Sequence, residues 1–255
     1  MKRTLAFLLA MLMLCFTACG SETAEPVKEE PAAEQTASAE PAAPAEEPAE
    51  AEEPAEAEEP AEAEEPAEPE KTITPGKVEG QTYTNEYFNV TCTLDEEWTV
   101  MSEQDIADAY GVAASMFDDE KYVEMLEGDD AAVTEFGATA QEGLYTINVN
   151  VSKIGILAGA LLDEGQYVDA ALAGDDGIVG ALTSMGLENV QAEKTELTVA
   201  GRETCGARIV GEVSGINLYE TLAVIKEGQY ILCITVCTVV EDACDSLLAA
   251  FTPIA

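Results

Sequence analysis

The chain has 255 residues, of which 51 are acidic and 11 are basic, and it contains no histidine, so its formal net charge is −40. A surface this acidic repels phosphate backbones, so nucleic acid is not an expected partner. The absence of histidine excludes Ser-His-Asp and Cys-His catalysis as well as His-ligated zinc. Composition therefore directs attention to anchoring and binding.

Residues 1–18 have the layout of an export signal. Lys2 and Arg3 precede a mostly apolar run of 14 residues from Leu5 to Ala18, which is shorter than the about 20 residues that a membrane-spanning helix needs. The run ends in Phe16-Thr17-Ala18-Cys19. This ending resembles the lipobox of bacterial lipoproteins, although Phe16 stands where leucine is commonest.

The lipobox resemblance implies that Cys19 receives a diacylglyceryl group and becomes the mature N-terminus. Such a group binds membranes more firmly than a single acyl chain. We therefore expect a protein anchored by lipid to the extracytoplasmic face of a bacterial cell membrane, without spanning it. In the alternative reading, the segment is an ordinary secretory signal and Cys19 is incidental.

Residues 19–71 are predicted to be a disordered acidic linker. They hold 15 alanines, 19 glutamates and 9 of the 11 prolines, and Val27 is their only large aliphatic residue. The six-residue unit EEPAEA occurs three times from Glu46 to Ala63. A proline every six residues prevents continuous helix, and too little apolar surface is present to offset the entropy of ordering. In the alternative reading, the glutamates gather cations or bind a basic partner.

Residues 72–255 are predicted to form a single globular domain. In chain order, we expect a hairpin from Gln81 to Leu94, helices over 103–109 and 119–127, a strand over 144–151, a helix over 165–185 that is broken near 174–177, strands over 190–197, 203–211, 216–226 and 229–240, and a last helix over 242–251. Alternating apolar and polar positions favour the strands, and Ser102 is a candidate helix cap. Consecutive hairpins require antiparallel pairing, so the fold class is α+β, an antiparallel sheet with helices packed on its faces.

The order of these elements resembles the PsbP-like fold. The hairpin from Tyr83 to Leu94 followed by Trp98, the meander from Val190 to Val240 and the closing helix from Asp245 to Phe251 carry the resemblance. It implies a PsbP-like sandwich, a fold that many lipoproteins of Gram-positive bacteria share, and membership of a mostly non-enzymatic family whose photosynthetic members bind other proteins. A cystatin-like α+β sheet is the competing interpretation. No motif of the family transfers a binding residue to this chain.

Five cysteines lie in the predicted domain, namely Cys92, Cys205, Cys233, Cys237 and Cys244. Cys233 and Cys237 share one face of a strand about 13 Å apart, too far to bridge each other. No CxxC pair occurs, so zinc and redox chemistry have little support. We expect most of these cysteines to be small apolar core residues, while a disulfide between distant members such as Cys92 and Cys205 stays open.

Acidic pairs recur at Asp118-Asp119-Glu120, Asp129-Asp130, Asp163-Glu164 and Asp175-Asp176. None has EF-hand spacing, and a solvated surface explains all four. We expect no metal, no cofactor and no catalytic residue. The function predicted is a non-enzymatic binding or accessory module for an envelope protein or a small ligand, with an extracytoplasmic carboxylate-based hydrolase or a cation-binding protein as alternatives.

Overall fold

The computed structural model describes residues 71–110, 119–128, 132–154, 162–173 and 177–255, with backbone only at 109 and 110. The predicted signal peptide, Cys19 and almost all of the predicted linker lie outside these residues. Of the acidic groups, Asp118, Asp129-Asp130 and Asp175-Asp176 also lie outside them. None of the helices formed by the described residues is both long and apolar enough to cross a membrane.

Eleven strands and five α-helices are formed by the described residues. The strands are β1 (Lys77–Glu79), β2 (Thr82–Asn85), β3 (Val90–Thr93), β4 (Thr99–Val100), β5 (Ala132–Ala140), β6 (Tyr145–Lys153), β7 (Glu188–Val199), β8 (Arg202–Val213), β9 (Ile216–Glu227), β10 (Tyr230–Val239) and β11 (Phe251–Thr252). The helices are α1 (Glu103–Tyr110), α2 (Asp119–Leu126), α3 (Glu164–Leu172), α4 (Ile178–Ser184) and α5 (Cys244–Leu248).

The strands form two antiparallel sheets. The large sheet has the order β4-β5-β6-β10-β9-β8-β7, and the small sheet has the order β1-β2-β3-β11. Four of the large-sheet strands, β7 to β10, follow one another as a meander joined by short turns. The meander forms because its strands carry many apolar side chains over 10 to 12 residues, and because the turns after β7, β8 and β9 contain glycine.

One face of the large sheet, which we call the inner face, packs against the small sheet. Val149 of β6 and Ile234 of β10 are paired on this face, and they join a core that includes Tyr83 and Phe88 of the small-sheet hairpin. Helix α2 adds Tyr122 and Leu126 to the same core. Burial of these large side chains contributes most of the free energy that holds the two sheets together.

The opposite face of the large sheet, which we call the outer face, carries helices. Helix α3 contacts β7, β8 and β9, and helix α4 contacts β7. Val168 and Leu182 of these helices pack on Ile209 and Leu222 of the sheet. Helix α3 begins at a capping box in which the side chain of Asp163 accepts a hydrogen bond from the backbone N–H of residue 166.

The α+β fold class and most of the predicted elements are confirmed. The predicted helix over 165–185 is two helices, α3 and α4. The predicted cap at Ser102 is confirmed, because its hydroxyl accepts a hydrogen bond from the backbone N–H of Asp105 at the start of α1. The predicted last helix over 242–251 is too long, because α5 ends at Leu248 and Phe251 pairs with Cys92 of β3. Strand β5 was not predicted, and neither were the short strands β1, β4 and β11.

Candidate functional site

The outer face of the large sheet carries a group of buried polar side chains that the apolar core does not include. We call this group the polar cluster, and its members are Thr134, Thr146, Asn148, Asn150, Glu220 and Thr235. They lie on the four neighbouring strands β5, β6, β10 and β9. Helix α1 contacts β5 at one end of this group of strands, and helix α3 contacts β9 and β8 at the other.

Strand register brings the polar cluster together. Glu220 is opposite Cys237, and Cys237 is opposite Thr146. Two residues along, Thr235 is opposite Asn148. Because neighbouring strands are about 4.8 Å apart and side chains alternate between faces, these residues point to one side of the sheet, with Cys237 between Glu220 and Thr146.

Glu220 is the most unusual member of the polar cluster. It is 2% exposed, and none of the described residues donates a hydrogen bond to its Oε1 atom. Burial raises the pKa of the Glu220 carboxyl to about 8. Its neighbours on the outer face, Ile209 and Leu218, belong to the apolar cluster under the helices. The folded protein therefore holds a carboxyl group that is largely protonated at neutral pH.

Asn150 and Thr235 also have polar atoms without partners among the described residues. The Thr134 hydroxyl donates to Asn150 Oδ1 at 2.7 Å, which fixes the amide and leaves Asn150 Nδ2 as an unused donor. The Thr235 hydroxyl is buried and has no partner within the described part of the chain. A buried polar group without a hydrogen bond costs about 1–3 kcal/mol, so three neighbouring examples are a substantial burden on stability.

A second buried carboxyl, Glu135, lies on the inner face and has a complete set of partners. It occupies a bulge in β5, where the register with β6 shifts between Thr134 and Phe136. It accepts hydrogen bonds from the hydroxyl of Tyr83 at 2.5 Å, from the hydroxyl of Tyr122, from the amide of Asn85 at 2.9 Å and from the backbone N–H of Gly76.

Desolvation raises the pKa of the Glu135 carboxyl, and these donors oppose the rise. The donors come from β2, from helix α2 and from the segment before β1, so Glu135 ties the small sheet to the large one. Glu135 and Glu220 lie on opposite faces of the large sheet. These two carboxyls with raised pKa values therefore cannot flank the same substrate bond, as the two carboxyls of a carboxylate-based hydrolase would have to.

A shallow groove of about 360 Å³ lies beside the meander. Arg208 and Tyr219, which strand alternation places on the inner face, line it, and Glu220 of the polar cluster is also among its lining residues. The Arg208 guanidinium forms an ion pair with Asp245 at 2.6 Å. The groove therefore has no cation that is free to recognise an anion, and it is a weaker candidate than the polar cluster.

The five cysteines are all free thiols, and Cys92, Cys233, Cys237 and Cys244 are buried. The prediction that most are small core residues is confirmed, and the open disulfide between Cys92 and Cys205 is not formed. Burial raises the pKa of Cys237 and also raises that of Cys92 to about 12. A thiol with a raised pKa is largely protonated at neutral pH and is a poor nucleophile.

The acidic pairs that the structure describes lie at the surface. Asp119 is exposed at the start of α2, and Asp163 is exposed and caps α3. Among the described residues, no three His, Cys, Asp or Glu side chains are grouped closely enough to hold a metal ion. Glu220, Asn150 and Thr235 were not among the candidate site residues predicted from the sequence.

Comparison with known proteins gives only distant likenesses. No family model and no curated protein matches the sequence. LpqN, which is involved in cell envelope biogenesis of Mycobacterium tuberculosis, is similar in structure, with a TM-score of 0.35 and 14% identity over 65% of this chain and 83% of LpqN. A protein from Bacteroides thetaiotaomicron has a TM-score of 0.33 and 9% identity over 70% of this chain and 50% of its own. Neither likeness assigns the chain to a family.

Proposed function

We propose that this protein is a lipid-anchored, non-enzymatic binding module of a bacterial cell envelope, and that the polar cluster on the outer face of the large sheet holds a small polar ligand. The observation that carries the proposal is the set of unpartnered polar atoms at Glu220, Asn150 and Thr235, all at least nine-tenths buried and all on one face. Buried polar groups of native proteins are normally hydrogen-bonded, so the missing partners point to a bound molecule.

The chemistry of the polar cluster suits binding better than catalysis. It offers a donor at Asn150 Nδ2, a hydroxyl at Thr235 that both donates and accepts, and a carboxyl at Glu220. Among the described residues, no hydrogen-bonded pair of a base and a nucleophile is present there, and burial raises the pKa of the neighbouring Cys237 thiol. Convergent polar groups within an otherwise apolar surface are typical of small-molecule sites.

The anchor is proposed from the sequence. Cys19 follows an apolar run of signal-peptide length, and the segment after it is rich in proline and glutamate. Metabolic labelling with a radioactive fatty acid tests this part of the proposal. We expect the full-length protein to be labelled and to sediment with membranes, whereas Cys19→Ala should lose the label. Labelling that persists in Cys19→Ala would contradict lipidation at this residue.

The ligand site is tested by thermal shift with a panel of small amines, amides, amino acids and polyols. A ligand that binds only the folded state raises the Tm according to its concentration relative to its Kd. We expect at least one compound to raise the Tm of the wild type and to have a smaller effect on Thr235→Val. The control is Thr198→Val, which removes an exposed hydroxyl from β7 and should respond as the wild type does. A response that is equal in all three proteins would refute the site.

A further inference from the structure

The polar cluster has an acidic end and a donor end, and these ends define a ligand class. Glu220 is on β9 and Asn150 is on β6, with β10 between them. Register places them two strands and four residues apart, which is about 16 Å between Cα atoms at ordinary strand spacings. Thr235 of β10 lies between the two ends. A ligand that spans the polar cluster therefore meets a carboxyl at one end and an amide N–H at the other.

None of the ion pairs formed by the described residues involves Glu220. The part of the domain from residue 72 onward has 32 acidic and 7 basic residues. Five of the basic residues form ion pairs elsewhere, namely Lys77 with Glu86, Lys153 with Glu127, Lys194 with Asp169, Arg202 with Glu227 and Arg208 with Asp245. The titratable groups that interact electrostatically with Glu220 are the thiols of Cys237 and Cys244.

A cationic ligand would complete this arrangement. A buried carboxylate is stable only when it is paired and hydrogen-bonded, and an ammonium group provides both the charge and the N–H donors. A strongly acidic domain also concentrates cations near its surface. At the other end, Asn150 offers a donor because Thr134 already occupies its carbonyl oxygen, so the ligand needs an acceptor there.

We propose that the polar cluster binds a small organic amine that also carries a hydrogen-bond acceptor, with its ammonium group against Glu220 and its acceptor against Asn150. This inference rests on the proposed function and adds the class and the orientation of the ligand. Binding converts the Glu220 carboxyl into a carboxylate, and the proton that leaves it is released to the buffer. Ammonium binding and proton release are therefore coupled one to one at pH values at which the free site is protonated.

The test is a pH titration of Glu220 in the full-length chain labelled with ¹³C at the glutamate carboxyl carbons, with Glu220→Gln used to identify the resonance. The probe is methylammonium chloride, compared with tetramethylammonium chloride at the same ionic strength, since the latter ion has the charge but no N–H donor. By linkage, we expect the pKa of Glu220 to fall by about one pH unit when methylammonium is about ten-fold above its Kd. Equal pKa values in the two salts up to about half-molar concentration, well beyond ordinary ligand affinities, would overturn the inference.

A neutral probe separates this inference from the proposed function. Acetamide has an acceptor and a donor but no charge, and the side-chain amide signals of Asn150 report its binding. If acetamide shifts those signals while methylammonium leaves Glu220 unchanged, the polar cluster binds polar molecules without preference for cations, and only the inference fails. If neither probe has an effect, both the inference and the ligand site are wrong. The side-chain amide of Asn217, which is exposed, provides the reference signal. Asn85 on the inner face is unsuitable as a reference, because its amide donates a hydrogen bond to Glu135.

Discussion

Replacement of Glu220 by glutamine tests whether a carboxyl without partners is buried on the outer face. Folding transfers this group from a pKa of about 4.5 in the unfolded chain to about 8 in the folded protein. Between these values the folded state holds a proton that the unfolded state releases. The free energy of unfolding therefore falls as the pH rises through this window, by about 1.4 kcal/mol for each pH unit, and the loss levels off above pH 8.

The magnitude follows from the two pKa values. Between pH 5 and pH 7.5, Glu220 should remove about 3 kcal/mol from the free energy of unfolding of the wild type. Glu220→Gln has nearly the same shape and no titrating group, so it should escape this loss. We expect the stability of the variant relative to the wild type to increase by about 3 kcal/mol over the same pH range.

The assay is urea unfolding at half-unit steps from pH 5 to pH 8, followed by the fluorescence of Trp98. Other carboxylates also make stability depend on pH, so the informative quantity is the difference between the variant and the wild type. Glu203→Gln removes an exposed carboxylate from the neighbouring strand β8 and controls for the change in net charge. A difference that stays constant between pH 5 and pH 8 would refute the burial of Glu220 as an isolated carboxyl.

Three further predictions concern stability and are measured by urea unfolding at pH 7. Thr235→Val should stabilise the protein by about 1–2 kcal/mol, because it removes a buried hydroxyl that has no hydrogen-bond partner among the described residues. Thr134→Val should destabilise the protein by about the same amount, because it breaks the hydrogen bond to Asn150. Effects of the same sign in the two variants would contradict this account. Tyr122→Phe should lower the free energy of unfolding by about 1–3 kcal/mol, because it removes a hydrogen-bond donor to the buried carboxyl of Glu135. The control is Tyr145→Phe, which removes a hydroxyl at an exposed site and should stay within about 0.5 kcal/mol of the wild type. Gly206→Ala should cost about 3 kcal/mol, because the added methyl would lie 2.1 Å from a carbonyl oxygen of the neighbouring strand, and a neutral effect would mean that the strands separate there.

The meander could be predicted because its apolar runs and its glycine-containing turns in the sequence match the buried strands and the hairpin turns of the structure. In β10, both faces are buried, and the run from Ile231 to Val239 consists of Val, Ile, Leu, Cys and Thr and has no charge. The hairpin turns carry glycine at positive φ, as at Gly228 and Gly201. Strand β5 was missed because Glu135 and Gly137 interrupt its apolar pattern. The bulge at Glu135 shifts the alternation by one residue, and the donors that stabilise it come from 50 or more residues away or from a separate helix.

The polar cluster could not be predicted from alternation alone. Asn148 and Asn150 alternate with Ile147 and Val149 in β6, which is the pattern of a strand with one face in water. In the folded protein both asparagines are buried, so this outer face is not a solvent face. Glu220 gave a usable signal. It lies in phase with Leu218 and Leu222 on the apolar side of β9, and a charge on the apolar side of an alternating strand indicates either a partner or a site.

Glu135 serves as an internal reference for Glu220. The two residues are glutamates of the same large sheet, and burial raises the pKa of both. Around Glu135 the fold brings together two tyrosines, an asparagine and a backbone N–H, drawn from distant parts of the sequence. The chain is therefore able to satisfy a buried carboxyl where that carboxyl serves the architecture.

Around Glu220, no such donors are present among the described residues. A leucine or methionine at this position would pack against the apolar side chains of Ile209 and Leu222 without the cost of desolvating a carboxyl. Natural proteins depart from such local consistency chiefly at functional sites. The Oε1 atom of the Glu220 carboxyl has no hydrogen-bond partner among the described residues, and the amide of Asn150 and the hydroxyl of Thr235 each have an unused polar atom on the same face. A bound molecule that supplies the missing hydrogen bonds would account for all three. The stability cost measured in the free protein by Glu220→Gln should then shrink when the ligand is bound, because the ligand supplies the charge and the hydrogen bonds that the chain does not.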